Sequence, residues 1–394
     1  MTGTDIQSAC EHFKALLQSQ EERIKAVEAD KEWTNFDDKE QITVGICYGD
    51  GIGEAILKNA LSILNEVLKA PIASGKIAFN IIEGLTIENR VKHGKAIPDD
   101  VLAKLKACDV ILKGPTTTPQ KGGPWPNIES ANVKMRRELD LFANIRPVKV
   151  PEKNIDWMFF RENTEGEYAL GSQGLNFDDF SVDFKVISKA GTERICRAGF
   201  EYAKKNNKKR VTIVTKSNIL KATDGLFSAI ASDMAKEYPG ISCDEYYIDI
   251  MTANLINDRE ASKFEVMVMP NLYGDILTDE AAQIQGGVGT AGSANIGKKY
   301  AMFEAIHGSA PRLIEEGLAA YANPSSIIKA ASMMLRHIGF VVEAEKIEQA
   351  LELCTDFEKK VVVSPDAQTG AEFTDYVLSW ITRDDLTSTW SRYQ

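Results

Sequence analysis

A mixed α/β fold is predicted by three features of this 394-residue sequence. Short apolar runs of strand length alternate with longer stretches in which apolar residues recur every three to four positions. Many of the runs end at turns rich in glycine or proline, such as Gly49-Asp50-Gly51-Ile52-Gly53 and Gly114-Pro115. No internal repeat or low-complexity tract interrupts the alternation. A composition of 44% hydrophobic and 26% charged residues supplies apolar material for two or three cores.

Charge and cysteine usage narrow the function classes. The formal net charge of -11 argues against nucleic acid or an anionic membrane as partner, because a polyanion requires a broad basic face. No apolar run approaches the ~20 residues that cross a bilayer. The N-terminus has neither the apolar core of a signal peptide nor the arginine-rich character of a transit peptide, so a cytoplasmic location is expected. Six cysteines stand far apart without a CxxC pair and read as buried thiols in a reducing compartment, neither catalytic nor zinc-binding.

Taken in order, Ile6, Cys10, Phe13, Leu17, Ile24 and Val27 make one helical stripe, an extension expected to dock on the body or on another subunit. After a polar stretch, a strand over Ile42 to Tyr48 meets the glycine turn and a helix with Leu57, Leu61, Leu64 and Leu68 on one face. Strand, glycine turn and helix invite a dinucleotide loop, but the spacing is G-x-G-x-G, and tight strand-to-helix packing demands glycine equally. A strand from Ile77 to Ile82, a helix after Pro98 and a strand over Val110 to Lys113 lead to Thr116-Thr117-Thr118. Open α/β sheets bind ligands beyond such strand ends, although threonines also cap helices.

The stretch Ile128 to Val148 concentrates donors in an acidic protein: Arg136, Arg137 and Arg146 follow Ser130-x-Asn132. Guanidinium groups fork onto carboxylates, so an anionic partner is expected; a solvated helix face is the bland alternative. The apolar run Trp157 to Asn163 ends in Arg161, which burial makes costly unless Glu162 or a ligand anion pairs with it. Gly171 to Lys185 reads as an arm. A helix over Thr192 to Lys205 precedes the strand Val211 to Val214, which closes on Lys216, a base if desolvated and otherwise a surface lysine.

Further runs close on Asp249 and on Asn271 to Asp279. On a helix Asp275 and Asp279 stack one turn apart, roughly 6 Å, and repel unless a cation intervenes. With Asp249 they offer hard oxygens suited to Mg²⁺ or Mn²⁺. Compensation of a helix dipole would account for Asp275 but not for Asp279 one turn later. Gly286 to Gly292 reads as a link, Phe303 to Ile306 as a strand ending at His307-Gly308-Ser309-Ala310-Pro311, and Ser325 to Ile338 and Ala344 to Cys354 as amphipathic helices.

From Ile42 onward these motifs resemble the isocitrate and isopropylmalate dehydrogenase family of metal-dependent oxidative decarboxylases. The resemblance rests, in order, on Gly49 to Gly53, Arg161-Glu162-Asn163-Thr164-Glu165-Gly166, Lys216-Ser217-Asn218, Asn271-Leu272-Tyr273-Gly274-Asp275 and His307 to Pro311. Ser130-x-Asn132-Val133-x-x-Arg136 looks like the isocitrate branch, since a third carboxylate needs donors where an isopropyl group needs carbon. The resemblance implies two α/β domains sharing a continuous sheet region, unlike a Rossmann fold. It implies a helical extension over 1–40, a large domain from 41–144 and 287–394, and a small domain over 145–286 with an arm at 169–187 and the dimer interface.

For the site, the resemblance implies that Arg136, Arg146 and Arg161 grip substrate carboxylates with Thr118, Ser130 and Asn132, that Asp249, Asp275 and Asp279 hold Mg²⁺ or Mn²⁺, and that Lys216 and Tyr168 move protons. It places the nicotinamide cofactor on Thr117, Asn218, His307, Gly308, Ser309, Ala310, Pro311, Arg312, Leu313, Asn323 and Asp375. In the family the lysine and one aspartate come from a second subunit, which implies a homodimer or higher homo-oligomer. NAD is favoured over NADP: Leu313 offers nothing polar to a 2'-phosphate and Asp375 repels one, although Arg312 could meet it. Tyr48 and Glu54 stand where the family usually has prolines, Ile250 replaces an asparagine, Trp125-Pro126 lengthens the substrate loop, and the arm is short. The sister substrates homoisocitrate, isopropylmalate and tartrate remain alternatives, as does a non-catalytic regulatory subunit, which should lack some of the five residues Tyr168, Lys216, Asp249, Asp275 and Asp279 retained here.

Overall fold

The computed structural model of the chain describes residues 5–119, 122–171, 173–287, 289, 291–359, 366 and 368–393. Two compact units result, Thr34–Leu139 with Gly286–Gln394 and Met1–Trp33 with Asp140–Gln285. The N-terminal helix is thereby grouped with the second of these, and the chain changes unit at 33/34, 139/140 and 285/286.

In the first unit the strand order is Ile77–Ile81, Ile42–Cys47, Val110–Lys113, Ala301–Ala305, Gly292–Ile296. All neighbours are parallel except the last pair, which is antiparallel with Gly292 opposite Ala305. Val44, Ile46, Val110, Ile111 and Leu112 are fully buried because helices cover a parallel sheet on both faces, which explains why these strands read as continuous apolar runs rather than alternating ones. Helices Gly53–Val67, Ser325–His337 and Gly370–Ile381 pack around this core.

In the second unit the order is Ala143–Val150, Ile155–Glu162, Val266–Met269, Arg210–Thr215, Ser242–Tyr247, with only the first pair antiparallel. Helices Lys189–Lys205 and Asn271–Ile284 lie against it. The arm carries a short hairpin, Leu175–Asn176 with Ser181–Val182, whose Phe177 and Phe180 rings stack at 4.4 Å.

Most expected elements end within a few residues of their predicted limits. The strand Ala143–Val150 is a correction, because Pro147 in its middle masks a pattern that otherwise alternates. It also divides the arginine-rich stretch: helix Ala131–Glu138 carries Arg136 and Arg137 in one unit and the strand carries Arg146 in the other. The thiols correct a second expectation, since Cys10 is exposed and Cys243 half-buried while Cys47, Cys108, Cys196 and Cys354 are buried; all six are free. Among the described residues no helix is long and apolar enough to cross a membrane.

Candidate active site

In the unit that holds the arm, strand Ile155–Glu162 delivers Arg161 at its carboxyl end with no solvent exposure. A buried guanidinium must have its donors met. Asn271 Oδ1 accepts from Arg161 Nε at 2.8 Å and from Nη2 at 2.6 Å, and Asp275 pairs with Nη1. Glu162, one of the two partners open to Arg161 on sequence grounds, instead accepts from the backbone N–H groups of Thr164 and Glu165 and lies 4.0 Å from Arg194. Burial, and then the charge of Glu165, push the Glu162 carboxyl up to about 7.

Tyr168 donates its hydroxyl to Asp275 at 2.7 Å, and Arg161 stands over its ring at 5.4 Å. Arg146 reaches the same helix one turn on, donating from Nη1 to Thr278 Oγ1 at 2.5 Å and pairing with Asp279 at 3.1 Å. Asp275 and Asp279 thus occupy successive turns of Asn271–Ile284, partly exposed, each facing one arginine. Two carboxylates so spaced are hard donors that fit Mg²⁺ or Mn²⁺. Asp249 does not join them within one chain, since among the described residues no three carboxylate, histidine or cysteine side chains form a metal-binding group.

Asp249 lies in the first turn of helix Ile248–Leu255 and accepts from Lys216 Nζ at 2.6 Å. That hydrogen bond holds its carboxyl below the usual range. Lys216 is anchored by a residue the sequence reading passed over. Asp224 is fully buried and accepts from Lys216 N at 2.7 Å and Tyr273 Oη at 2.9 Å, and it pairs with Lys185 of the arm at 2.6 Å. Burial and the Asp224 carboxylate raise the Tyr273 phenol. The available signal was Asp224 in the first turn of an otherwise apolar helix, which reads as a cap. Asn218 is exposed in the turn after Lys216.

In the other unit, the glycine turn is tied to neighbouring loops through its backbone N–H groups at Asp50 and Ile52. Asp50 N and Ile52 N donate to the carbonyls of Pro115 and Ser309, at 2.8 and 3.1 Å. A Cβ on Gly51, whose φ is +59°, would lie 2.0 Å from the Ser309 carbonyl oxygen. Asp50 accepts from Thr117 N at 2.6 Å and Ile87 N at 2.7 Å, and burial raises its carboxyl against these donors. Arg90, fully buried, donates to the carbonyls of Ala96, Thr117 and Glu129 and so fixes two loops.

On these loops Thr116 Oγ1 donates to Asn132 Oδ1 at 2.9 Å, Thr118 Oγ1 to Ser130 Oγ at 3.4 Å, and Thr117 Oγ1 lies 3.0 Å from Ser309 Oγ. Ser130 is the N-cap residue of Ala131–Glu138 but its hydroxyl does not cap. Arg136, further along this helix, is nearly buried beside Glu304 at 3.6 Å, and its Nε has no hydrogen-bond partner among the described residues. Arg137 pairs with Glu129 and is structural. Glu304 also meets Lys113 at 3.1 Å and Asn295 at 2.9 Å. Burial alone would raise its carboxyl, but the charges of Lys113 and Arg136 hold it at about 2.

His307 follows the same strand; its Nδ1–H donates to the Gly308 carbonyl at 3.0 Å, and burial lowers its basicity. Gly308 is exposed, Ser309 is buried, and Ala310 adopts a left-handed φ of +47° before Pro311 opens a helical turn. Arg312 is exposed and pairs with Glu316 at 2.7 Å; Leu313 is half-buried. Asn323 Oδ1 accepts from Ser325 N, and Asp375 is exposed on helix Gly370–Ile381.

The fold and these two clusters define an α/β protein with arginines, carboxylates and hydroxyls gathered at strand ends. The chain belongs to the isocitrate/isopropylmalate dehydrogenase family, whose sequence model matches residues 43–373. An isocitrate dehydrogenase [NADP] of Rickettsia prowazekii is 43% identical over 78% of this chain; the match spans 62% of that relative's length. A homoisocitrate dehydrogenase of Methanocaldococcus jannaschii is 38% identical over 82% of this chain and 92% of its own. The crystal structure of isocitrate dehydrogenase from Methylococcus capsulatus superposes with a TM-score of 0.76 at 33% identity, covering 87% of this chain and all of that one.

Proposed function

We propose that the chain catalyses metal-dependent oxidative decarboxylation of isocitrate to 2-oxoglutarate, with hydride transfer to a nicotinamide cofactor. The observation that carries this reading is the all-polar lining of the segment Thr116–Thr118, Ser130, Asn132 and Arg136, in which the hydroxyl and amide groups bond to one another and the nearly buried Arg136 guanidinium keeps its Nε without a hydrogen-bond partner among the described residues. That lining suits a third carboxylate and not an isopropyl group. The isocitrate dehydrogenase named among the relatives supports the same choice.

In this reading Arg161, Arg146 and Arg136 each take a substrate carboxylate as bidentate donors. Asp275 and Asp279, with Asp249 from a second copy of the chain, would hold Mg²⁺ or Mn²⁺, which would supply Lewis acidity at the substrate. Lys216, from the same second copy as the Asp249 it bonds, would take the proton of the substrate hydroxyl, and a bound nicotinamide cofactor would supply the hydride acceptor. Loss of carbon dioxide from the 3-position leaves an enol electron pair, and Tyr168 returns a proton to that carbon. The active unit is a homodimer or a higher homo-oligomer. Thr117, Ser309, the His307 to Leu313 turn, Asn218, Asn323 and Asp375 would receive the cofactor, and NAD is preferred because exposed Asp375 repels a 2'-phosphate and Leu313 offers it nothing polar.

A homoisocitrate reading draws on the relative of that name, whose length the chain nearly spans. Steady-state rates with isocitrate, homoisocitrate and isopropylmalate, each with NAD or NADP and with Mg²⁺ or Mn²⁺, test the proposal. Isocitrate is expected to give the highest kcat/KM; turnover of isopropylmalate without isocitrate would overturn it.

A further inference from the structure

The helix Ile6–Ala29 lies outside the 43–373 stretch on which family membership rests, yet it engages the segment that carries Tyr168. Leu16, 4% exposed, packs in an apolar cluster with Ala169 and Leu170, the two residues that follow Tyr168, and with Phe184 and Val186 of the arm. Phe13 stacks on Phe184 with ring centroids 5.3 Å apart, and His12 Nε2–H donates to the Gln173 carbonyl at 2.8 Å. About three turns further along the helix, Arg23 pairs with Glu165 at 2.6 Å while its Nε donates to Gln20 at 2.9 Å, which locks the guanidinium.

Glu165 is an unusual place for a carboxylate. It is 1% exposed and sits near the buried Glu162. Arg194 pairs with Asp140 at 2.7 Å and stands 4.0 Å from Glu162, so among the described residues Arg23 is the cation paired with Glu165 and offsets its burial. The carboxylate is also wedged: it accepts from Ser188 N at 2.8 Å, and a Cβ on Gly191 would meet it at 2.4–2.5 Å. The backbone carbonyl of the same residue accepts from Asn271 Nδ2 at 3.0 Å, and Asn271 Oδ1 is the acceptor for Arg161. A continuous run of bonds therefore leads from Arg23 through Glu165 and Asn271 to the Arg161 guanidinium.

We propose that the N-terminal helix is a strap for the active site, in which Arg23 is a positioning residue that holds the 162–170 segment, and with it Tyr168 and Arg161, in place. The roles of Tyr168 and Arg161 rest on the function proposed above; the mechanical claim does not. The test uses the full-length chain with Arg23→Gln, Arg23→Lys and Phe13→Ala, reading amide hydrogen exchange by segment together with kcat and KM for isocitrate. Arg23→Gln is expected to speed exchange over 163–170 by about tenfold or more while Ile42–Cys47 is unchanged. It should lower kcat by about 10- to 100-fold, the cost of roughly 1 Å of misplacement, without raising KM for the nicotinamide cofactor. Arg23→Lys, which keeps the charge, should recover most of both. Phe13→Ala, at a residue 43% exposed, should loosen the same segment more weakly and answers the question if Arg23→Gln does not fold.

Parental exchange over 163–170 in Arg23→Gln would overturn the strap, as would equal losses in the Gln and Lys variants with exchange accelerated throughout the molecule. If the parent chain fails to oxidise isocitrate, the proposed function falls, while exchange over 163–170 still decides the strap.

Discussion

Gly274→Ala isolates the placement of Arg161 from its chemistry. Gly274 is buried in helix Asn271–Ile284, and an added Cβ would lie 2.4 Å from Arg161 Cγ, 2.6 Å from its Cβ and 2.9 Å from its Cδ. The nearest of these is about 1 Å short of ordinary contact, which begins at 3.4 Å. Because the clash includes atoms next to the backbone of a fully buried side chain, the guanidinium cannot simply swing aside. Overpacking of this kind costs about 1–3 kcal/mol, and the helix preference of alanine over glycine returns about 1 kcal/mol, leaving a net loss of roughly 0–2 kcal/mol. Activity should suffer more, since about 1 Å of misplacement costs on the order of 10²-fold in rate. Denaturant unfolding and isocitrate kcat/KM measured on the same preparation separate the two effects. Gly225→Ala is the control: it lies in helix Thr223–Ala235 with open space around the added carbon, and it should stabilise by about 0.4–1 kcal/mol with activity unchanged. A Gly274→Ala protein with kcat/KM close to the parent's would refute the assignment of Arg161 as a fixed substrate anchor.

Three further outcomes are expected. Lys216→Met should lower kcat by roughly 10²–10⁴-fold with little change in KM for isocitrate; a loss confined to KM would remove Lys216 from proton transfer. Glu304 has a folded pKa depressed from 4.5 to about 2, so the stability it contributes is present above pH 4.5 and is lost as the pH falls through about 2. Glu304→Gln should therefore flatten the loss of stability across that window in acid titrations followed by circular dichroism, and cost several kcal/mol at neutral pH by leaving Lys113 buried without a counter-charge. Arg312→Asp should lower kcat/KM for NADP without a matching loss for NAD if Arg312 leaves Glu316 for a 2'-phosphate, and equal losses with both cofactors would count against that contact.

How far the sequence reaches is clearest residue by residue. Arg161 and Lys216 were legible because an apolar run ended in each, and a charge at the end of a buried strand must be met by something. Asp275 and Asp279 were legible because helical spacing puts them on one face whatever the fold. Local pattern likewise determined the alternation of strands and helices, since burial on both faces of a parallel sheet imposes apolar runs.

Long-range pairing was not legible. Asp224 reads as a helix cap until folding brings Lys216, Lys185 and Tyr273 onto it, and Glu304 reads as a stray acid until Lys113 and Arg136 close around it. Arg137 and Arg136 are neighbours in sequence with opposite fates, one tied to Glu129 and the other set beside Glu304. Such partnerships depend on which strand ends the sheet order brings together, and hydrophobic period carries no record of that order. The sequence by itself determined which groups are charged and on which face of an element they stand; tertiary structure decided which charges are buried together, because that follows from contacts between residues as far apart as Arg23 and Glu165.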